Sequence, residues 1–354
     1  MTKNRSIGLW AFLAAIAFAL AAILFASIQT PWDDSVLRNL AQSYRQQVFE
    51  LRGEPEAIAN ASATLPLDGI VILITGSTSG IGRSLTRWAF REGATIVAMG
   101  RSKTKLEILQ EELTETDQSA LGRFFPIVAD MSDLVSVSSS VDDIRDVLSS
   151  TSIQQIDIVV CNAGIFQSTD QSASFPTSKQ GHELTFGVNY LSHFLLAEKL
   201  MRTRIAGEEN EGPFILSSKT SRVVQVSSSF HLGIDGTALS MIPSETNPLN
   251  LVPIASQTSS YYNSGEEGPL LSFLKYNFRP QRQYANSKLA QVLQTKIMNR
   301  EYLSNQEIDS NDRVYVPFVS ACPGWVATEI MRSKMEKESL REKLYRALAY
   351  DSDG

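Results

Sequence analysis

Cysteine and histidine are scarce in this 354-residue chain: Cys161 and Cys322, with His182, His193 and His231. Two cysteines exclude a disulfide-framed scaffold and a four-cysteine zinc site. Three scattered histidines without an HExxH pair give no recognisable metal site, so no metal is expected. So few cysteines fit either side of a membrane and leave the redox compartment open. A basic excess is also missing. With 38 acidic against 32 basic residues the net charge is −6, and nucleic acid is not an expected partner. Charged residues at 20% and hydrophobic ones at 43% are too apolar a mixture for a disordered chain and too mixed for a polytopic membrane protein.

One apolar run stands apart. Ile7 to Ile28 is 22 residues without a charge, and a bilayer core needs about 20 in a helix. Bulky residues stand where a small-x-small cleavage site would need small ones, as Leu24 does before Ala26. Residues 1–30 are therefore expected to be a retained anchor, with a signal or targeting peptide as the alternative. Lys3 and Arg5 before the span balance Arg38 and Arg45 after it, so orientation is not decided. Residues 31–66 read as an amphipathic helix and a linker. Val36, Leu40, Tyr44 and Val48 recur every four residues, Asp33 or Asp34 can cap the start, and Gly53 and Pro55 end the helix. A surface helix is the expectation and an interfacial membrane helix the alternative.

From residue 67 the pattern changes. Gly69 to Ile74 is a continuous aliphatic run, as in a strand buried on both faces. It feeds Thr75-Gly76-Ser77-Thr78-Ser79-Gly80-Ile81-Gly82, then a helical pattern with Leu85, Trp88 and Ala89, then a second aliphatic run from Ala94 to Met99. This β-α-β context is the one a dinucleotide site requires. Glycines let the backbone approach a pyrophosphate, and the next helix offers its unpaired N–H groups to the anion. After the second strand, where an NAD site carries a carboxylate for the ribose 2′-hydroxyl, stands Gly100-Arg101-Ser102-Lys103. Arg101 can fork onto a 2′-phosphate and Lys103 can add charge, which points to NADP(H). Two ordinary surface charges are the plainer alternative.

The alternation continues. Phe124 to Val128 is a strand ending at Ala129-Asp130-Met131, followed by a helix from Val135 to Leu148. Ile156 to Val160 ends at Cys161-Asn162-Ala163-Gly164, and residues 181–205 form a long helical stretch containing Asn189. Arg222 to Val226 ends at Ser227-Ser228-Ser229. A helix spans 284–303, and a strand from Val314 to Ser320 ends at Cys322-Pro323-Gly324. Polar residues gather at strand ends, where open parallel sheets bind ligands.

Thr75-Gly76-x3-Gly80-Ile81-Gly82, Asp130, Asn162-Ala163-Gly164, Asn189, Ser228, Tyr284-Ala285-Asn286-Ser287-Lys288 and Pro323-Gly324-x3-Thr328 stand in the order seen in short-chain dehydrogenases/reductases. The resemblance covers roughly residues 67–330. Phe186 to Phe194 and Ser287 to Leu293 resemble the retinol-dehydrogenase-like branch. The resemblance implies an α/β fold, one doubly wound Rossmann-type parallel sheet in a catalytic domain over 67–335, preceded here by a transmembrane helix. It implies a cofactor site of Thr75, Gly76, Ser77, Ser79, Gly80, Ile81, Gly82, Arg101, Asp130, Met131, Asn162, Ala163, Gly164, Tyr284, Lys288, Pro323, Gly324 and Thr328. Catalysis falls to Ser228, Tyr284, Lys288 and Asn189, with Asn189 helping to hold a proton-relay water near Lys288. The branch implies an apolar carbonyl or alcohol substrate (a retinoid, sterol or lipid aldehyde), an anchor in the endoplasmic reticulum or another organelle membrane, and a homodimer as an open expectation. A 3-ketosteroid reductase, a protochlorophyllide reductase and a cofactor-binding scaffold without turnover are the competing readings.

The chemistry agrees. Tyr284 and Lys288 are i and i+4 and share a helix face. A free phenol has a pKa near 10, and an adjacent ammonium is expected to lower it. Tyr284 then serves as general acid or base at the substrate oxygen, which Ser228 also hydrogen-bonds. Two departures from the family pattern stand out. Ser228 and Tyr284 lie 56 positions apart, so residues 231–280 read as an insertion beside the site, bringing Tyr261, Tyr262, Phe273 and Tyr276. Only 26 residues follow Thr328, so the domain end is expected to be incomplete, with 336–354 as a charged C-terminal helix.

Overall fold

The computed structural model describes residues 34–54, 65–116, 123–151, 153–166, 176–205, 212–234, 280–305, 312–323, 326–327 and 350–351. The expected anchor, most of the insertion, Gly324, Thr328 and residues 328–349 lie outside the described residues. Among the described residues no helix is long and apolar enough to cross a membrane.

The chain runs α1 (Asp34–Arg52), β1 (Val71–Thr75), α2 (Gly80–Arg91), β2 (Thr95–Gly100), α3 (Lys103–Thr116), β3 (Phe124–Val128), α4 (Leu134–Ser150) and β4 (Ile158–Cys161). There follows α5, built of Leu184–Phe186, a π-helical turn Gly187–Leu191 and Ser192–Leu200. Then come β5 (Arg222–Val226), a 3-10 turn (Ser229–Gly233), α6 (Pro280–Ser304), β6 (Phe318–Ala321), β7 (Val326–Ala327) and β8 (Tyr350–Asp351). Six strands form one sheet in the order β3-β2-β1-β4-β5-β6, with every pairing parallel. The order reverses between β1 and β4, which opens a crevice at the carboxyl ends of those strands.

Alternation along the strands divides the core between two faces. Leu73, Val97, Met99 and Val159 pack with Val137, Ile144 and Leu196 of α4 and α5. Ile72, Ile74, Ile96 and Ile158 pack with Leu85, Phe90, Leu106 and Leu109 of α2 and α3. Helices on both faces explain why these strands read as unbroken aliphatic runs. The edge strand β3 tolerates Pro126, which a central strand would not.

Several expectations change. α3 was not legible in the sequence, where only Arg101 and Lys103 drew notice. The strand expected from Val314 begins at Phe318, although Val314 to Val316 are buried. The C-terminal helix expected over 336–354 does not include Tyr350–Asp351, which pair with Val326–Ala327. The expected surface helix is instead part of the core. In α1 the buried apolar residues are Leu37, Ala41, Tyr44, Val48 and Phe49, while Val36 is exposed. Three arginines seven residues apart fasten it beneath the amino ends of the strands. Arg38 pairs with Glu92 at 3.0 Å, Arg45 Nε donates to the Asp68 carbonyl at 2.7 Å, and Arg52 Nη2 reaches both Asp157 oxygens at 2.6 and 2.7 Å. These partners are brought together by the sheet, so α1's own periodicity could not reveal them.

Candidate active site

Thr75 closes β1 and is buried, and its hydroxyl accepts the backbone N–H groups of Asn162 and Ala163, both at 2.9 Å. The Asn162 amide returns the tie, donating to the Thr75 carbonyl at 2.9 Å and to Gly76 at 3.4 Å. The glycine turn and the Asn162-Ala163-Gly164 segment are thus one unit straddling the reversal in strand order. Gly76 and Gly80 have φ of 68° and 51°, the left-handed region that glycine enters freely. A Cβ on Gly82 would stand 2.2 Å from the Gly76 carbonyl oxygen, so only glycine fits there. Ser77 is buried and donates to the Met99 carbonyl at 3.2 Å, and Ile81 packs against the core.

The start of α2 fits a pyrophosphate. Ser79, at the N-cap, is extended and makes no side-chain cap hydrogen bond, and no acidic residue stands in the first turn. The helix N-terminus therefore keeps its N–H groups and positive dipole end for an anion. Arg101 is exposed just beyond β2, and Lys103 pairs with Glu107 at 3.8 Å. Asp130 uses Oδ1 to accept from the backbone and hydroxyl of Ser132, at 2.9 and 2.7 Å. Met131 is buried among core residues around Val137 and Val188, so its side chain serves packing. Pro323 is buried after β6; Gly324 and Thr328 lie outside the described residues.

On α6, Tyr284 and Lys288 turn toward the end of β5. Lys288 is buried, its Nζ donates to the Val226 carbonyl at 2.6 Å, and it lies 5.4 Å from the centre of the Tyr284 ring. The neighbouring Ser227 hydroxyl donates to the Lys288 carbonyl at 3.0 Å. Ser228 caps the 3-10 turn and hydrogen-bonds Tyr284. Phe166 and Phe230 meet the Tyr284 ring edge to face, with centroids 5.0 and 5.6 Å away.

Protonation departs from the sequence expectation. Burial pushes the Tyr284 phenol up to about 12, the Ser228 hydrogen bond pulling it back and the neighbouring Cys322 adding to the rise. Burial also pushes Lys288 down to about 8. The expected lowering of Tyr284 by its lysine fails because desolvation dominates and the ammonium hydrogen-bonds the Val226 carbonyl. A protonated Tyr284 at neutral pH is a ready donor to a carbonyl oxygen.

Asn189 is a hub. Its side-chain oxygen accepts from Ile165 N at 2.8 Å, and its amide donates to the Ile165 carbonyl at 3.0 Å and to Ser287 Oγ at 3.1 Å. Its backbone carbonyl accepts from Gln291 Nε2 and bonds His193 Nδ1, each at 2.9 Å. Both lone pairs of that carbonyl are engaged, and Asn189 joins α5 to α6 and to the segment after β4. Sequence reasoning gave no functional role to His193, Gln291, Phe166 or Phe230. The i, i+4 spacing of Asn189 and His193 was the one local signal available.

The family model for short chain dehydrogenases matches residues 70–231. Over those residues the chain is similar to the short chain dehydrogenases. The match ends before α6, so the placing of Tyr284 and Lys288 at the end of β5 rests on the geometry above. Human retinol dehydrogenase 14 is 30% identical over 171 residues, 47% of this chain and 46% of that protein, and supports the retinol-dehydrogenase-like branch. A Streptomyces sp. (strain C5) protein named for a daunorubicin C-13 ketoreductase is 37% identical over 152 residues, 43% of this chain and 47% of that one. Protochlorophyllide reductase A of Hordeum vulgare is 26% identical over 258 residues, 73% of this chain and 58% of that protein. The chain thus spans about half the length of the curated relatives it matches.

Proposed function

We propose that the protein is an NADP(H)-dependent carbonyl reductase or alcohol dehydrogenase for an apolar substrate, held at a membrane by residues 1–30. The observation that carries this reading is the convergence of Ser228, Tyr284 and Lys288 at the carboxyl end of β5, in the same parallel sheet whose β1 ends in the glycine turn. NADP(H), when bound, supplies or accepts the hydride. Tyr284 gives its proton to the substrate oxygen in reduction and takes it back in oxidation. Ser228 hydrogen-bonds the same oxygen and fixes its direction toward Tyr284. Lys288, buried and cationic below its pKa, holds positive charge beside the phenol as negative charge develops. The open N-terminus of α2 receives the pyrophosphate, and exposed Arg101 receives the 2′-phosphate in place of a carboxylate.

An apolar substrate such as a retinoid, sterol or lipid aldehyde suits the Phe166 and Phe230 rings beside the reacting phenol. The uncharged run from Ile7 to Ile28 supports the anchor, with the endoplasmic reticulum as its proposed membrane. Exposed Phe194 on α5 and Leu293 and Ile297 on α6 support a homodimer. A protochlorophyllide-reductase-like activity is a second reading, favoured by the 258-residue reach of that similarity.

The test is turnover with NADPH against aldehydes, ketones and a porphyrin, for parent and Tyr284→Phe. Loss of a positioned proton donor is expected to cost about 10²–10⁴-fold in rate, with NADPH affinity retained. A Tyr284→Phe variant as fast as the parent overturns the mechanism, and a parent inert to the whole panel favours the scaffold.

A further inference from the structure

We propose that His193 is a positioning residue that bridges the cofactor turn and the catalytic hub, accepting at Nε2 from the Thr75 hydroxyl and donating from Nδ1 to the Asn189 carbonyl. The proposal rests on reading this site as a cofactor-dependent active centre.

Both ring nitrogens of His193 are engaged and the side chain is fully buried. Nε2 lies 2.8 Å from Thr75 Oγ1, and Nδ1 lies 2.9 Å from the Asn189 carbonyl oxygen. A carbonyl cannot donate, so Nδ1 must carry the hydrogen. In a neutral imidazole the other nitrogen is then an acceptor. The ring is neutral at physiological pH, since burial pushes His193 down to about 4.

The Thr75 hydroxyl has one proton to give and already receives two N–H groups, from Asn162 and Ala163. Its candidate acceptors are His193 Nε2 at 2.8 Å and the Val160 carbonyl at 3.3 Å. The shorter contact decides for Nε2. Every bond then has one direction. The amides of Asn162 and Ala163 donate to Thr75, Thr75 donates to His193, and His193 donates to Asn189.

The two ends of this chain are functionally unlike. Thr75 immediately precedes the glycine turn. The Asn189 carbonyl also receives Gln291, one turn beyond Lys288 on α6, and the Asn189 amide holds Ser287. A leucine would fill comparable space without the desolvation cost of an imidazole. The histidine is the element that satisfies a buried hydroxyl and a buried carbonyl at once, and so sets the distance between the cofactor turn and α6.

Three variants of the full chain separate the two ends. His193→Gln keeps an acceptor at the reach of Nε2, His193→Asn keeps a donor at the reach of Nδ1, and His193→Leu keeps neither. Losing one such buried bond is expected to cost about tenfold. His193→Gln should hold NADPH affinity within about threefold and lower kcat about tenfold. His193→Asn should hold kcat and weaken NADPH about tenfold. His193→Leu should lose both. With only three histidines, the ¹⁵N-histidine spectrum of the protein without cofactor reads the tautomer directly, and His193 should carry its hydrogen on Nδ1. A hydrogen on Nε2, or equal losses of affinity and kcat in the Gln and Asn variants, overturns the proposal. If His193→Leu does not fold, the Gln and Asn pair still decides. A parent that never turns over sinks the enzyme reading, while the tautomer and the NADPH titrations still judge the bridge.

Discussion

Replacing Arg52 by methionine should show how firmly α1 belongs to the fold. Met keeps most of the aliphatic stem beside Phe49, whose ring lies 5.2 Å from the guanidinium carbon, and removes the charge. Asp157 has no exposed side-chain surface and holds four hydrogen bonds, two from Arg52, one from Val71 N at 2.9 Å and one from Gln155 at 2.8 Å. The variant leaves a buried carboxylate with the two neutral donors. Breaking one side of a buried pair costs about 3–5 kcal/mol, against a total stability of about 5–15 kcal/mol. For a domain of this size that is a fall in Tm of roughly 6–20 °C. Burial already raises the Asp157 carboxyl, and loss of Arg52 raises it further. A carboxyl raised in the folded state favours folding below its unfolded pKa and loses that contribution as the pH rises. The penalty should therefore shrink as the pH falls toward the ordinary carboxylate range. Urea unfolding at pH 7 and pH 4 measures both, and Arg52→Met/Asp157→Asn should recover part of the loss. An Arg52→Met unfolding free energy within about 1 kcal/mol of the parent's at pH 7 would refute a buried ion pair at this edge.

Other outcomes follow from the same geometry. Gly82→Ala puts a methyl 2.2 Å from the Gly76 oxygen and 2.4 Å from Asn162 Nδ2, so NADPH titration should show binding lost by more than about tenfold. Arg101→Ala should weaken NADPH and spare NADH, and equal losses in parallel titrations would remove Arg101 from the 2′-phosphate. His193 is neutral in the fold and charges more easily when unfolded, so stability should fall as the pH drops from 6.5 toward about 4. A shift of that size is worth on the order of 3 kcal/mol, and unfolding of His193→Gln across this range should be flatter than the parent's.

The sequence alone determined what depends on neighbours along the chain. Continuous aliphatic runs marked β1 and β2, the glycine spacing marked the turn between β1 and α2, and Tyr284 with Lys288 declared a shared helix face. These are short-range properties of periodicity and backbone freedom, and each appears where it was expected. The tertiary structure alone decided what depends on elements far apart in sequence. It turned α1's buried face toward Glu92, Asp68 and Asp157, committed Asp130 to Ser132 and Met131 to the core, and reversed the expected direction of the Tyr284 shift. It also brought His193 between Thr75 and Asn189, a juxtaposition that the i, i+4 spacing showed only in half. Burial and hydrogen-bond partners come from the packing of the sheet against its helices, so a residue's protonation and role stay open until that packing is known.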